Sequence, residues 1–196
     1  MIKGTLIEVI GDVTDPQVSS ENEVAIIPHC CNNLKGWGAG FVLALNKKDR
    51  NPMDCYRKMF EKYTIPKDKK DMLGLVSYAS FCSAVGFQEF DGSRLYESKD
   101  AIFPSTMIVA NMIAQDGVRG NSDFDTPLRY VSLIKCMLRV ALWIKVEQSK
   151  YPNKLFTIHA PKFGSELAGG NFDFILELIR EIWLENGINV VVYEFG

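Results

Sequence analysis

The segment Gly36-Trp37-Gly38-Ala39-Gly40 constrains the fold more than any other stretch of this chain. An apolar run, Val24 to Pro28, and a polar turn, His29 to Lys35, precede it, and a helical pattern, Phe41 to Lys48, follows directly. Strand, glycine-rich loop and helix N-terminus in that order build an anion site. Glycines let backbone N–H groups approach a ligand without Cβ obstruction, and the helix start adds partial positive charge. The expected ligand is a phosphate-bearing small molecule, not a protein groove or a membrane.

The rest of the chain alternates strands and helices. Residues 2–10 and 23–28 read as strands, the second almost wholly apolar, as a strand covered on both faces should be. A short helix is expected over 54–63 and an exposed loop over 65–71. Strands follow at 73–78 and 107–113, with an irregular region between. Thr126-Pro127 has the form of a helix start, threonine as N-cap and proline at the first position, for a helix reaching about 148. Residues 155–159 are strand-like. Asn171 caps a helix whose Phe172, Ile175, Ile179, Ile182 and Trp183 recur at helical spacing, and Gly187 ends it. Residues 188–193 close the chain as a strand. No repeat, low-complexity tract or domain boundary interrupts the pattern, so one α/β domain over 1–196 is expected.

Composition narrows the function. With 196 residues and 47% hydrophobic content the chain can bury one good core. A net charge of −2 argues against a dedicated nucleic-acid binder, which would show a basic face. Five cysteines, an odd number with no CxxC pair, give no disulfide framework. Residues before Gly11 lack the apolar core of a signal peptide, and no run approaches membrane-spanning length. A reduced, cytoplasmic compartment and a monomer are the simplest expectations.

Ligands of open α/β sheets sit beyond the carboxyl ends of the strands. Three loops fall there: GDVT (11–14), HCCNNLKGWGAGF (29–41) and PKFGSELAGGN (161–171). Each joins glycine to a short polar residue, and together they carry more weight than any one alone. Their order and spacing resemble the macro domain family, whose pattern is a GDIT-like turn, N-A-A-N followed by a glycine-rich loop, and a second such loop near the C-terminus. The resemblance runs from Gly11 to the final VVVYEF. It looks closest to the branch that processes ADP-ribose 1''-phosphate, and implies a three-layer α/β/α domain with a central mixed sheet.

The resemblance also implies roles. Gly11, Asp12 and the backbone of Val13 would receive adenine, the Asp12 carboxylate accepting from the exocyclic amine because it cannot donate. The competing reading of Asp12 is a turn stabiliser. Asn32 matches the second asparagine of N-A-A-N and would hold the distal ribose. Gly38, Ala39, Gly40 and Phe41 would embrace the distal ribose and diphosphate; Ala39 stands where many members have glycine and fits if its φ is negative. Phe163, Gly164, Ser165, Glu166, Leu167, Ala168 and Gly169 would form the opposite wall through their main-chain N–H groups. Phe195 and Tyr193 are candidates for packing on adenine, or for ordinary core. No metal and no cofactor are implied; the partners are ADP-ribose or a derivative, or an ADP-ribosylated macromolecule.

His29 stands where the family often has the first asparagine. A side chain that titrates near neutral pH could protonate the leaving ribose oxygen or attack phosphorus, or it could orient the loop through one ring nitrogen. His159 reads as a structural histidine. Cys30 and Cys31 occupy positions that are small in the family, which favours packing over a thiolate nucleophile. Gln115 or Asp116 could position water, with surface-loop polarity as the simpler reading. Relatives that strip ADP-ribose from carboxylate side chains use a lysine and an aspartate where this chain has Gln115 or Asp116 and Ala168. Three functions compete: a phosphatase acting on ADP-ribose 1''-phosphate, with His29 and Asn32 as the catalytic pair; a hydrolase removing ADP-ribosyl groups; and a reader that binds only. A nicotinamide dehydrogenase fails, because Phe41 takes the third glycine place of GxGxxG and seven residues separate strand from loop. No Walker-type phosphate loop exists.

Overall fold

The computed structural model describes residues 2–62, 69–81, 89–90, 107–121 and 125–194. Strands β1 (Leu6–Ile10), β2 (Glu23–Asn32), β3 (Val76–Phe81), β4 (Glu89–Phe90), β5 (Met107–Gln115), β6 (Leu155–Pro161) and β7 (Val190–Glu194) join in one sheet of order β1-β7-β6-β2-β5-β3-β4. The first five in that order run parallel, while β3 is antiparallel to β5 and β4 to β3, so the sheet is mixed.

Helices cover both faces. Side chains alternate across a strand, and β2 shows the result: Val24 and Ile26 enter one core with α3 (Tyr130–Lys150) and α4 (Phe172–Ile182). Ile27 and Cys31 enter the other, beneath α1 (Phe41–Lys48) and α2 (Asn51–Lys62). In α3, Leu133, Cys136, Met137, Val140 and Ile144 are buried at helical spacing. The expected three-layer α/β/α domain is present. Among the described residues no helix is long and apolar enough to cross a membrane.

Several boundaries differ from expectation. The helix expected from Thr126 begins only at Tyr130, with Arg129 at the cap position and no capping side chain. Residues 127–129 serve another purpose: Pro127 O accepts from Asp116 N, Leu128 N donates to Ala168 O, and Arg129 N donates to Ala114 O. That extended segment ties the end of β5 to the late loop, and tertiary bonding overrides the local cap signal. β1 starts at Leu6 and β3 at Val76, both later than the apolar runs. The expected loop over 65–71 lies partly outside the described residues, and its remainder is a 3-10 turn, Lys69–Met72, with Met72 buried. The last helix is α only to Ile182; a 3-10 turn, Leu184–Asn186, follows, and Gly187 closes it in the left-handed conformation.

Candidate functional site

Because β1, β7, β6, β2 and β5 are parallel, the loops after them meet at one edge of the sheet. They enclose a cleft of about 890 Å³. Four inter-strand steps of roughly 4.8 Å separate β1 from β5, so the cleft runs about 19 Å across the strand ends. It brings together Gly11, Asp12, Val13, His29, Asn32, Gly38, Ala39, Gly40, Phe41, Gln115 and every residue from Phe163 to Ala168. Gly169 lies outside it, turned in the left-handed region beside Thr126. Phe195 falls outside the described residues.

At the β1 end Asp12 bends its loop. Oδ1 accepts from Thr14 N (2.8 Å) and Thr14 Oγ1 (2.7 Å), an Asx turn that leaves a second oxygen for a ligand. Burial works to raise its pKa, but those two bonds and the Lys48 charge outweigh it, and the carboxyl sits below the ordinary range. It is ionised at neutral pH. Turn stabiliser and ligand acceptor are thus compatible readings. Tyr193 lies beneath Gly11, its ring 3.6 Å from where a Cβ would stand. Its hydroxyl accepts from Gln17 N (3.3 Å) and meets His159 Nδ1 (3.0 Å). His159 Nε2 in turn meets Glu23 Oε1 (2.7 Å), which makes it the satisfied structural histidine expected.

In the middle, two loops face each other. Gly40 (φ 73, ψ −146) caps α1 without a side-chain bond, and no acidic residue occupies the first turn. A side chain there would need a left-handed backbone, and its Cβ would stand 3.1 Å from Leu167 Cδ1 in the opposite wall. Ala39 is absent from the positive-φ residues, so it meets the condition that the sequence set for it. Among the described residues the N–H groups of Gly38 to Val42 have no internal partner. In the facing loop Ala168, Gly169 and Gly170 donate to Ser165, Glu166 and Gly164, while the N–H groups of Ser165, Glu166 and Leu167 stay open. Asn171 caps α4 through Phe174 N (3.1 Å), so that helix start is already satisfied.

Solved structures share this fold. A protein of unknown function from Bacteroides thetaiotaomicron is 29% identical over 97% of this chain and 98% of its own, with a TM-score of 0.71. A macrodomain protein from Streptomyces coelicolor is 29% identical over 97% of this chain and 99% of its own, with a TM-score of 0.65. The chain has the macrodomain fold. A further neighbour, DarTG of Thermosipho africanus in complex with ADP-ribose, is 14% identical over 96% of this chain and 41% of its own, at a TM-score of 0.57. No protein-family model and no curated protein matches the chain.

The floor of the macrodomain cleft departs from the roles expected of it. His29 is 3% exposed, edge-on to Trp37 and Phe41, with Nε2 2.6 Å from Asn111 Oδ1. Asn111 Nδ2 donates to Pro52 O and Ser77 Oγ, so its Oδ1 is the acceptor and His29 carries its proton on Nε2. Burial lowers the His29 pKa to about 4 against the opposing Asn111 bond. The ring is neutral at physiological pH, and the expected proton donor is not a cation there. Asn32 is also turned inward. Its Nδ2 donates to Gly36 O (2.9 Å), and Oδ1 accepts from Leu34 N (2.9 Å), Gly36 N (3.0 Å) and Tyr56 OH (3.1 Å). A Cβ on Gly36 would stand 2.9 Å from Asn32 Nδ2, so the glycine permits this close packing. The amide expected to hold a sugar shapes the loop.

Burial raises both Cys30 and Cys31 thiols far above their ordinary value, in agreement with packing. Asp116 is not surface polarity: it is 1% exposed and accepts from Asn33 Nδ2 (3.0 Å), with Lys69 Nζ at 3.7 Å. Gln115 does line the cleft, its Nε2 3.5 Å from Cys30 O. Sequence reasoning missed Arg119, Lys162 and Glu194, which also line it. Arg119 lies three residues beyond Asp116, and its turn signal, Arg-Gly-Asn, is visible in the sequence.

Proposed function

We propose that the cleft binds ADP-ribose and removes the phosphate from ADP-ribose 1''-phosphate. The observation that carries the proposal is the sequence of groups across five strand ends. An ionised carboxylate and an open Val13 N–H stand at the β1 end, two facing rows of unpartnered N–H groups lie in the middle, and Gln115 stands at the end of β5. Adenine, diphosphate and terminal ribose match that order, each recognised by its own chemistry. The Thermosipho africanus neighbour, which holds ADP-ribose, supports the reading.

In this mechanism the main-chain N–H groups hold the diphosphate and thereby fix the terminal ribose and its phosphate in place. His29, neutral, fixed through Asn111 and with the Cys31 thiol 3.8 Å from its Nδ1, supplies a polar floor and does not act as an acid. Water attacks phosphorus, the bond from phosphorus to the ribose oxygen breaks, inorganic phosphate leaves, and the proton for the departing ribose oxygen comes from solvent. The hydrolase that removes ADP-ribosyl groups is the weaker reading, because Ala168 supplies no carboxylate where those relatives have one. A reader function is favoured by one observation, the internal engagement of both His29 and Asn32.

Calorimetric titration with ADP-ribose, run beside phosphate release from its 1''-phosphate, tests the proposal. Binding with turnover supports it. Binding without turnover of the 1''-phosphate or of protein-linked esters identifies a reader, and no binding at millimolar ligand refutes the cleft assignment.

A further inference from the structure

We infer that Arg119 selects for an anionic group on the terminal ribose, a phosphate monoester in particular. The inference rests on the reading of the cleft as an ADP-ribose site and adds a specificity residue to it. Val118 and Asn121 exchange two backbone bonds, 3.3 and 2.8 Å long, so Arg119 and Gly120 are the central pair of a tight turn. Gly120 has φ 82, the positive value that a type II turn requires at its second central residue, and Arg119 is not among the positive-φ residues. The turn is held at its base as well. Gly117 N donates to Asn33 Oδ1 (2.8 Å), Asn33 Nδ2 donates to the buried Asp116 (3.0 Å), and Asp116 N donates to Pro127 O (2.9 Å). An exposed arginine on a rigid turn is thereby presented at one end of the cleft.

The charge pattern gives that placement its meaning. The other cleft cation, Lys162, lies 2.9 Å from Glu194 and is neutralised at the end nearer β1. Arg119 makes no hydrogen bond or ion pair among the described residues. It stands after β5, beyond the strand that marks the far side from Asp12. With the base fixed at Asp12 and the diphosphate between the two loops, only a substituent of the terminal sugar reaches it. A guanidinium offers a planar fork that matches two oxygens of a phosphate, and a neutral sugar end offers no counter-charge.

The test compares ADP-ribose with its 1''-phosphate on the whole chain, as wild type, Arg119→Gln and Arg119→Lys. Wild type should prefer the phosphorylated ligand. Arg119→Gln should lose about 10- to 100-fold in affinity for the 1''-phosphate and change less than about twofold for ADP-ribose. Arg119→Lys should recover part of the loss, since a point charge lacks the fork. The wild-type preference should also shrink as salt rises. Equal losses for both ligands, or no loss for either, overturn the inference. Failure of wild type to bind ADP-ribose at all would instead sink the cleft assignment on which it rests. Melting curves exclude misfolding, because this exposed turn side chain contributes little to stability.

Discussion

Asn32→Ala separates two meanings of the same residue. As a ligand-holding amide, Asn32 would matter for affinity and not for stability. The structure assigns the reverse. Truncation removes the bond to Gly36 O and leaves Leu34 N and Gly36 N without their acceptor; Tyr56 OH keeps the stronger of its two bonds, to Asn32 O at 2.6 Å. Three bonds from an amide only 8% exposed, at about 1 kcal/mol net each, give a loss of roughly 2–3 kcal/mol. For a chain of this length that lowers the melting temperature by roughly 4–12 °C. Urea titration should show the midpoint falling with an unchanged slope, which marks a change in stability and not in the denatured state. Asn32→Asp, which keeps the acceptor and loses the donor, should fall between. Stability within about 0.5 kcal/mol of wild type, together with a large loss of ADP-ribose affinity, would refute the loop-shaping role.

Two other outcomes follow from the same geometry. His29 has its folded pKa depressed to about 4 from an ordinary value near 6.5, so the unfolded chain binds the extra proton first. Its contribution is full above about pH 6.5 and is lost as pH falls towards 4, amounting to about 3 kcal/mol; denaturation of His29→Gln over pH 5–7 should show a flatter profile than wild type. A parallel profile would remove His29 as the source. At Asp12, the variant Asp12→Asn keeps Oδ1 as the acceptor for Thr14 and turns an NH₂ donor towards the ligand. Affinity for ADP-ribose should fall about tenfold, while inosine diphosphate ribose, which carries a carbonyl in place of the amine, should gain; an unchanged ratio of the two would exclude Asp12 as the base reader.

The sequence made the sheet, both helical layers and the cleft legible because each depends on local pattern. Apolar runs such as 24–28 and 107–113 mark strands buried on both faces, and the loops at 11–14, 29–41 and 161–171 follow strands that the same patterns locate, although β2 runs on through Asn32 where a turn from His29 was expected. What stayed hidden depends on contacts between distant segments. Nothing near His29 in the chain reveals that Asn111, on the neighbouring strand, fixes its tautomer, or that Trp37 folds back against the ring. Thr126-Pro127 carries a sound local helix signal, and only the bonds to Asp116, Ala168 and Ala114 explain why the chain stays extended there. Family motifs locate a residue without fixing its partners, as the loop bonds of Asn32 show.

These differences share one physical cause. Asn32 and His29 in the cleft, and Asn33 and Asp116 outside its lining, spend their hydrogen bonds on shaping loops, and the open donors between the two facing loops are main-chain N–H groups. Only proline removes a main-chain donor; any other substitution can only displace it. Changes at these buried polar residues should therefore act on stability first, and on affinity only as far as the loops shift. Groups that read the ligand's identity stand at the two ends, where Asp12 and Arg119 are exposed on short turns and each can be exchanged without disturbing the core. Affinity for the shared diphosphate and discrimination between its substituents are thus carried by different parts of the chain.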